Sequence, residues 1–142
     1  MKIAFFDTKS YWKTSFGPLA EKYGYEITFF DERLTPATAH LAAGHDATCS
    51  FVNDEVPAEV VHKLKDLGIK VLLLRCAGFD SVDLDAAKEC GLPVLRVPGY
   101  SPESVSEHGL ALLMAVNRKN ILSYARTQNL NFDIQGLDGF TL

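Results

Sequence analysis

Neither G-x-G-x-x-G nor G-x-x-x-x-G-K-[ST] occurs anywhere in this sequence, so its residues carry no ready-made cradle for a dinucleotide or a nucleoside triphosphate. Three cysteines, Cys49, Cys76 and Cys90, make no C-x-x-C pair. An odd number in a chain of 142 residues suits a reducing compartment better than a disulfide framework, and the expectation for each is a small buried hydrophobe. The four histidines are scattered without the spacing of a metal site. Lysines and arginines are dispersed and the formal net charge is -4, which excludes the basic face that gathers nucleic-acid phosphates. No apolar run approaches the roughly 20 residues of a membrane-spanning helix. The start, MKIAFF, has no small-residue cleavage site and reads as a first strand, not as a signal peptide. These absences predict a cytoplasmic protein with neither nucleic acid nor membrane as a partner.

What is present is the composition of an ordinary globular domain, 47% hydrophobic and 23% charged. Short apolar runs alternate with helical patterns, the rhythm of a parallel α/β sheet with covered faces. Strands are expected at Ile3 to Phe6, Glu26 to Phe30, Ala47 to Phe51, Lys70 to Leu74 and Pro93 to Val97. Helices fill the gaps. In the third gap Pro57 opens a helix, Val60, Val61, Leu64 and Leu67 share one face, and Gly68 stops it; in the fourth, Asp83 leads into Leu84, Ala87 and Lys88, and Gly91 is the stop. Five strands in this order predict a flavodoxin-like, doubly wound parallel sheet in three α/β/α layers over residues 1–100.

From Ser101 the pattern changes. Ser101 is expected to cap a helix, Pro102 suits its first turn, and Glu103 complements the positive end of its dipole. The run GLALLMAV, residues 109–116, is apolar all the way round and so needs neighbours on more than one side. After Arg118 the periodicity fades, and residues 101–142 read as one long helix followed by a connecting arm.

In open parallel sheets ligands settle beyond the carboxyl ends of the strands. The fourth strand leads into Arg75, Cys76, Ala77, Gly78 and Phe79. A glycine there either lets two successive N–H groups turn toward a carboxylate or phosphate, or simply makes a strand-to-helix turn. Tyr100, before the long helix, can offer its hydroxyl to a ligand or merely pack. Phe51 either lines the same cleft or belongs to the core. His108 beside Glu107 invites an acid/base reading, but adjacent helical residues do not face one another. The stretch DTKSYWKTS after the first strand is a glycine-free loop candidate for a flavin phosphate. A phosphate-receiver reading would use Asp7 and Asp54, with no lysine following the fifth strand.

Taken together, RCAGFDSVDLDAAKECGLPVLRVPGYSPESVSEHGLALLMAVNR resembles the NAD-dependent D-2-hydroxyacid dehydrogenases, and within them the D-lactate dehydrogenases. The motifs that carry the resemblance are R-x-A-G-x-D at Arg75 to Asp80, V-D at Val82 and Asp83, V-P-x-Y-S-P at Val97 to Pro102, and the E-H helix. NFDIQGLDGFTL is similar to the segment leading into that family's nucleotide-binding domain. The resemblance implies a substrate domain in which the N–H groups of Ala77 and Gly78 meet a 2-oxo acid carboxylate. Tyr100 would contact the substrate, Phe51 would shape the pocket, and Val105 would lie near the nicotinamide. It also implies an NADH-dependent reduction of pyruvate to D-lactate, with an arginine, a glutamate and a histidine that match no residue here. The 142 residues alone are therefore expected to be inactive and to hold no NAD stably. They are expected to self-associate through residues 102–120. The rival reading is a stand-alone flavodoxin-like ligand-binding or regulatory module.

Overall fold

A computed structural model describes residues 1–141. The chain divides into two compact units, Met1–Pro98 and the segment from Gly99 onward. The first holds β1 (Lys2–Phe5), α1 (Ser10–Tyr23), β2 (Glu26–Phe29), a 3-10 turn (Ala39–Ala42), β3 (Ala47–Ser50), α2 (Ala58–Asp66), β4 (Val71–Leu74), α3 (Leu84–Glu89) and β5 (Val94–Arg96). All pairings are parallel, and the strand order is β2-β1-β3-β4-β5. The chain first winds outward from β1 to β2, then crosses back to β3 and winds the other way. The order thus reverses between β1 and β3, which is where such sheets open a crevice at their carboxyl ends.

Strand alternation splits the core in two. Ala4, Phe6, Leu72 and Leu74 face a larger cluster completed by Val60, Val61 and Leu64 of α2 and by Ala86 and Ala87 of α3. Ile3, Phe5, Ala47 and Cys49 face a smaller one, covered by Trp12 and Phe16 of α1. Helices on both sides of one sheet give the expected three layers. Each observed strand lies within a residue or two of its expected place. Gly68 and Gly91 follow α2 and α3 with φ of +85° and +62°, a conformation that suits glycine. Asp83 caps α3 by accepting the Ala86 N–H at 2.9 Å.

Three expectations change. The stretch after β1 is not a loop: Ser10 to Ser15 already belong to α1, because Tyr11, Trp12 and Phe16 bring their rings together there, with Trp12 and Phe16 also meeting Phe5. In the second unit, Ser101 precedes α4 (Pro102–Asn117) but does not cap it. Its φ of +52° places it in the left-handed region, and its hydroxyl pairs with that of Ser104 instead. The arm is not irregular throughout either, since Asn120–Gln128 form α5. This stretch holds no glycine or proline, and a left-handed Lys119 (φ +53°) separates it from α4.

Two devices hold the segment beyond α5. Arg126 Nη1 donates to the carbonyls of Asp133 and Gln135 at 2.8 and 2.7 Å. The buried Asn117 amide donates to the Phe140 carbonyl at 2.7 Å and accepts the Phe140 N–H at 2.9 Å. No helix of the described residues is long and apolar enough to cross a membrane.

Candidate functional site

The carboxyl end of β4 passes through Arg75 and the buried Cys76 into Ala77 and Gly78. Ala77 is half-buried and Gly78 exposed. The carbonyls here are occupied. Arg96 Nη1 donates to the Ala77 carbonyl at 2.9 Å, and the Cys76 thiol to that of Gly78 at 3.3 Å. The peptide bonds are trans, so an Ala77 carbonyl aimed at Arg96 turns the Gly78 N–H the opposite way. Among the described residues neither the Ala77 nor the Gly78 N–H donates to a protein acceptor. Two successive N–H groups are thus left over at the edge where anions bind.

The backbone conformation at Gly78 does not itself require glycine. Its φ lies outside the positive range, and a Cβ built on it would meet nothing within 4 Å. The turn itself would accept a side chain, so glycine leaves room above the backbone that the fold does not use.

Phe51 follows β3 on the adjacent strand. It is half-buried, packs against the larger core, and meets Trp12 edge-on at 5.8 Å. Its backbone is tied by Asp54, a residue 2% exposed, whose two carboxylate oxygens accept the N–H groups of Phe51 (2.6 Å) and Leu34 (2.9 Å). Burial pushes the Asp54 carboxyl up, with the two N–H donors and the charge of Arg75 holding it back. Both oxygens being committed, Asp54 is a loop latch and is not available as a phosphate acceptor.

The guanidinium of Arg75 sits 4.4, 5.0 and 4.7 Å from the rings of Phe5, Trp12 and Phe51. Arg75, Arg96 and Asp54 are the working residues that sequence reasoning missed. Arg75 opens the R-x-A-G-x-D motif and Asp54 was weighed only as a phosphate site, so a signal existed for two of them. Arg96 gave none.

The structure brings Phe51 next to Arg75, and Arg75 is two residues from the free amides. Tyr100 and Val105 belong to the second unit, where both are exposed, Val105 in the first turns of α4. His108 is exposed as well. An open depression of about 510 Å³ lies between Asp54–Pro57 and Asp80–Asp83, and its four acidic side chains oppose a carboxylate ligand. No group of three or more metal-ligating side chains gathers among the described residues. Cys49, Cys76 and Cys90 are free, and burial raises the Cys49 thiol to about 11, so it stays protonated at neutral pH.

The described residues do not fit a dinucleotide by themselves. The Gly78 turn reaches α3 only at Leu84, and α4 begins after Ser101 with no glycine pair before it, so neither turn sets glycine N–H groups onto a helix start.

Residues 3–136 match the sequence profile described as D-isomer specific 2-hydroxyacid dehydrogenase, catalytic domain. The chain is 49% identical to D-lactate dehydrogenase of Escherichia coli over 142 residues, all of this chain and 43% of that protein. It is 46% identical to a putative D-lactate dehydrogenase of Dictyostelium discoideum, covering 42% of it. The apo-structure of the Escherichia coli D-lactate dehydrogenase superposes with a TM-score of 0.84 over 99% of this chain and 45% of that one. A structure of D-2-hydroxyisocaproate dehydrogenase, 27% identical, gives 0.80 over 99% of this chain and 43% of that one. The chain thus spans less than half the length of these relatives, and with its profile match, its full-length identity and its sheet it belongs to the family of D-isomer specific 2-hydroxyacid dehydrogenases.

Proposed function

We propose that this chain is the substrate-side half of an NAD-dependent D-lactate dehydrogenase, in which pyruvate or another short 2-oxo acid is held by its carboxylate on the N–H groups of Ala77 and Gly78. The observation that carries the reading is that these two amides are left without protein acceptors while both neighbouring carbonyls are engaged. Arg96 contributes by fixing the Ala77–Gly78 peptide, and withdrawal of charge toward its guanidinium strengthens the N–H on the other side. Phe51 forms the wall against the substrate's side chain. By the family resemblance, Tyr100 is the residue that contacts substrate and Val105 the one near the nicotinamide; residues 101–142 are read as the helix and connecting arm that follow the substrate domain of residues 1–100.

Coenzyme, when bound, supplies the hydride; the residues here bind and orient the acid. No residue here takes the place of the arginine, glutamate and histidine implied by the resemblance. The 142 residues alone therefore bind without turnover. Calorimetric titration tests this. Pyruvate should give a saturable heat and methyl pyruvate none, because the ester carries no negative charge and its second oxygen is blocked by the methyl group, and NADH mixed with pyruvate and this chain should stay unoxidised. Equal binding of the ester would sink the carboxylate assignment.

The exposed Leu110, Leu113, Met114 and Val116 of α4 support self-association through residues 102–120. Sedimentation showing only monomer at high concentration would rule it out. The three free thiols suit a cytoplasmic setting.

A further inference from the structure

Arginine buries poorly, and the half-buried Arg75 is enclosed in an unusual manner. Its buried Nε has no hydrogen-bond partner, and among the described residues no carboxylate comes within ion-pair distance of its guanidinium. Only two of its contacts are hydrogen bonds, Nη2 to the Asp7 carbonyl at 3.0 Å and a long one from Nη1 to the Cys49 carbonyl at 3.5 Å. Stacking against Phe5, Trp12 and Phe51 accounts for the rest, at 4.4 to 5.0 Å from each ring. A group left with an unsatisfied N–H is costly, and the cost is borne where ring faces, not acceptors, set the position.

The three rings come from three places: Phe5 ends β1, Trp12 lies in α1, and Phe51 follows β3. Arg75 itself follows β4. Its reach to Asp7 matters too, because Asp7 is a non-glycine residue at φ +46° whose carbonyl needs a fixed donor. One cation therefore ties together the carboxyl ends of the three central strands. It does so around the ring that, on the reading above, faces the substrate.

We propose that Arg75 is a positioning residue for substrate size: it holds the Phe51 ring as a fixed wall and so sets which 2-oxo acids the site accepts. Its guanidinium does not take the carboxylate, being already enclosed by three rings and two carbonyls. A methionine at this position keeps the volume but loses the planar cation, and the Phe51 ring is then free to swing outward. Lysine keeps the charge without the flat stacking face, so it restores the wall only in part. This rests on the substrate-side reading and deepens it.

The test uses this chain joined to the nucleotide-binding half that the substrate-side reading requires for turnover, with Arg75→Met, Arg75→Lys and Phe51→Ala singly, and Arg75→Met combined with Phe51→Ala. The readout is the ratio of kcat/KM for pyruvate to that for 2-oxobutanoate, which is one methyl group larger. Arg75→Met and Phe51→Ala should each lower the ratio about tenfold, mainly through KM, since pockets discriminate single methyl groups by factors of this order. In the Phe51→Ala background, Arg75→Met should change the ratio by less than about twofold, because residues acting through one another are not additive. Arg75→Lys should fall between, and it decides the question if Arg75→Met does not fold. A ratio unmoved by Arg75→Met, or independent effects of the two substitutions, would overturn the proposal. No turnover of any 2-oxo acid by the unsubstituted protein would overturn the underlying function, and an unmoved ratio in Phe51→Ala would overturn the wall itself.

Discussion

Phe5 and Phe132 are the same residue in opposite circumstances: the first is 1% exposed among Trp12, Phe16, Phe29 and Arg75, the second 73% exposed after α5. The contrast extends to the two units that contain them. Up to Pro98 the apolar side chains alternate into two cores on either side of a sheet. From Gly99 onward the one buried residue among those described is Asn117, while Leu110, Leu112, Leu113, Val116, Ile121, Leu130 and Ile134 all face outward. A sheet wrapped by helices satisfies itself; two helices and an arm of this composition expose apolar surface that calls for a cover. The first unit thus supplies the packed frame, and the free amides of Ala77 and Gly78 lie in a loop at the carboxyl end of its sheet, beyond the paired strands.

Substitutions can break this contrast. Phe5→Ala should cost about 3–5 kcal/mol, a core phenylalanine lost together with the stacking face for Arg75. Phe132→Ala should stay within about 0.5 kcal/mol, as exposed positions do. Urea unfolding measures both, and similar costs at the two positions would erase the distinction. Next in size is Asp54→Asn, at about 1–3 kcal/mol, because an amide can accept from only one of the two N–H groups that Asp54 satisfies and presents a donor to the other. The same urea series detects it, and a neutral result would remove Asp54 as a latch.

The smallest effect is acid sensitivity at the sheet's opposite end. The partly exposed Asp46 carboxylate accepts from Lys70 Nζ at 2.7 Å and from the Lys2 N–H at 2.8 Å, and these bonds hold it down to about 2. A depressed carboxyl contributes stability that is present above its unfolded value of 3.8 and is lost as pH falls toward 2. Asp54 works in the opposite direction: its raised carboxyl contributes stability at low pH that is lost as pH rises through its folded value. Between pH 5 and pH 3, Asp46→Asn should flatten the fall in the urea midpoint and Asp54→Asn should steepen it. Parallel curves for all three proteins would refute both assignments.

Much of the first unit was legible in the sequence because each strand is a short apolar run set between helix signals, and Pro57, Gly68, Asp83 and Gly91 punctuate it. The second unit was legible only to the end of α4. In α5 the apolar Ile121, Leu122, Tyr124 and Ala125 do share one face, but Asn120–Gln128 is a short helix that no side chain caps and no proline or glycine bounds, so it hid in what read as an arm. At the site, the glycine turn showed itself through local spacing. Its supports did not, because they act over distance: Arg75 reaches a carbonyl 68 residues away and Arg96 one 19 residues away, and only the sheet order brings them there.

The most direct test of the account is a nuclear magnetic resonance titration of the chain with pyruvate, following every backbone amide. The account predicts that the amides of Ala77 and Gly78 move first and furthest, with saturation, and that methyl pyruvate leaves them in place. Movement centred instead on the acidic depression between Asp54 and Asp83, with Ala77 and Gly78 unmoved at saturating pyruvate, would contradict it.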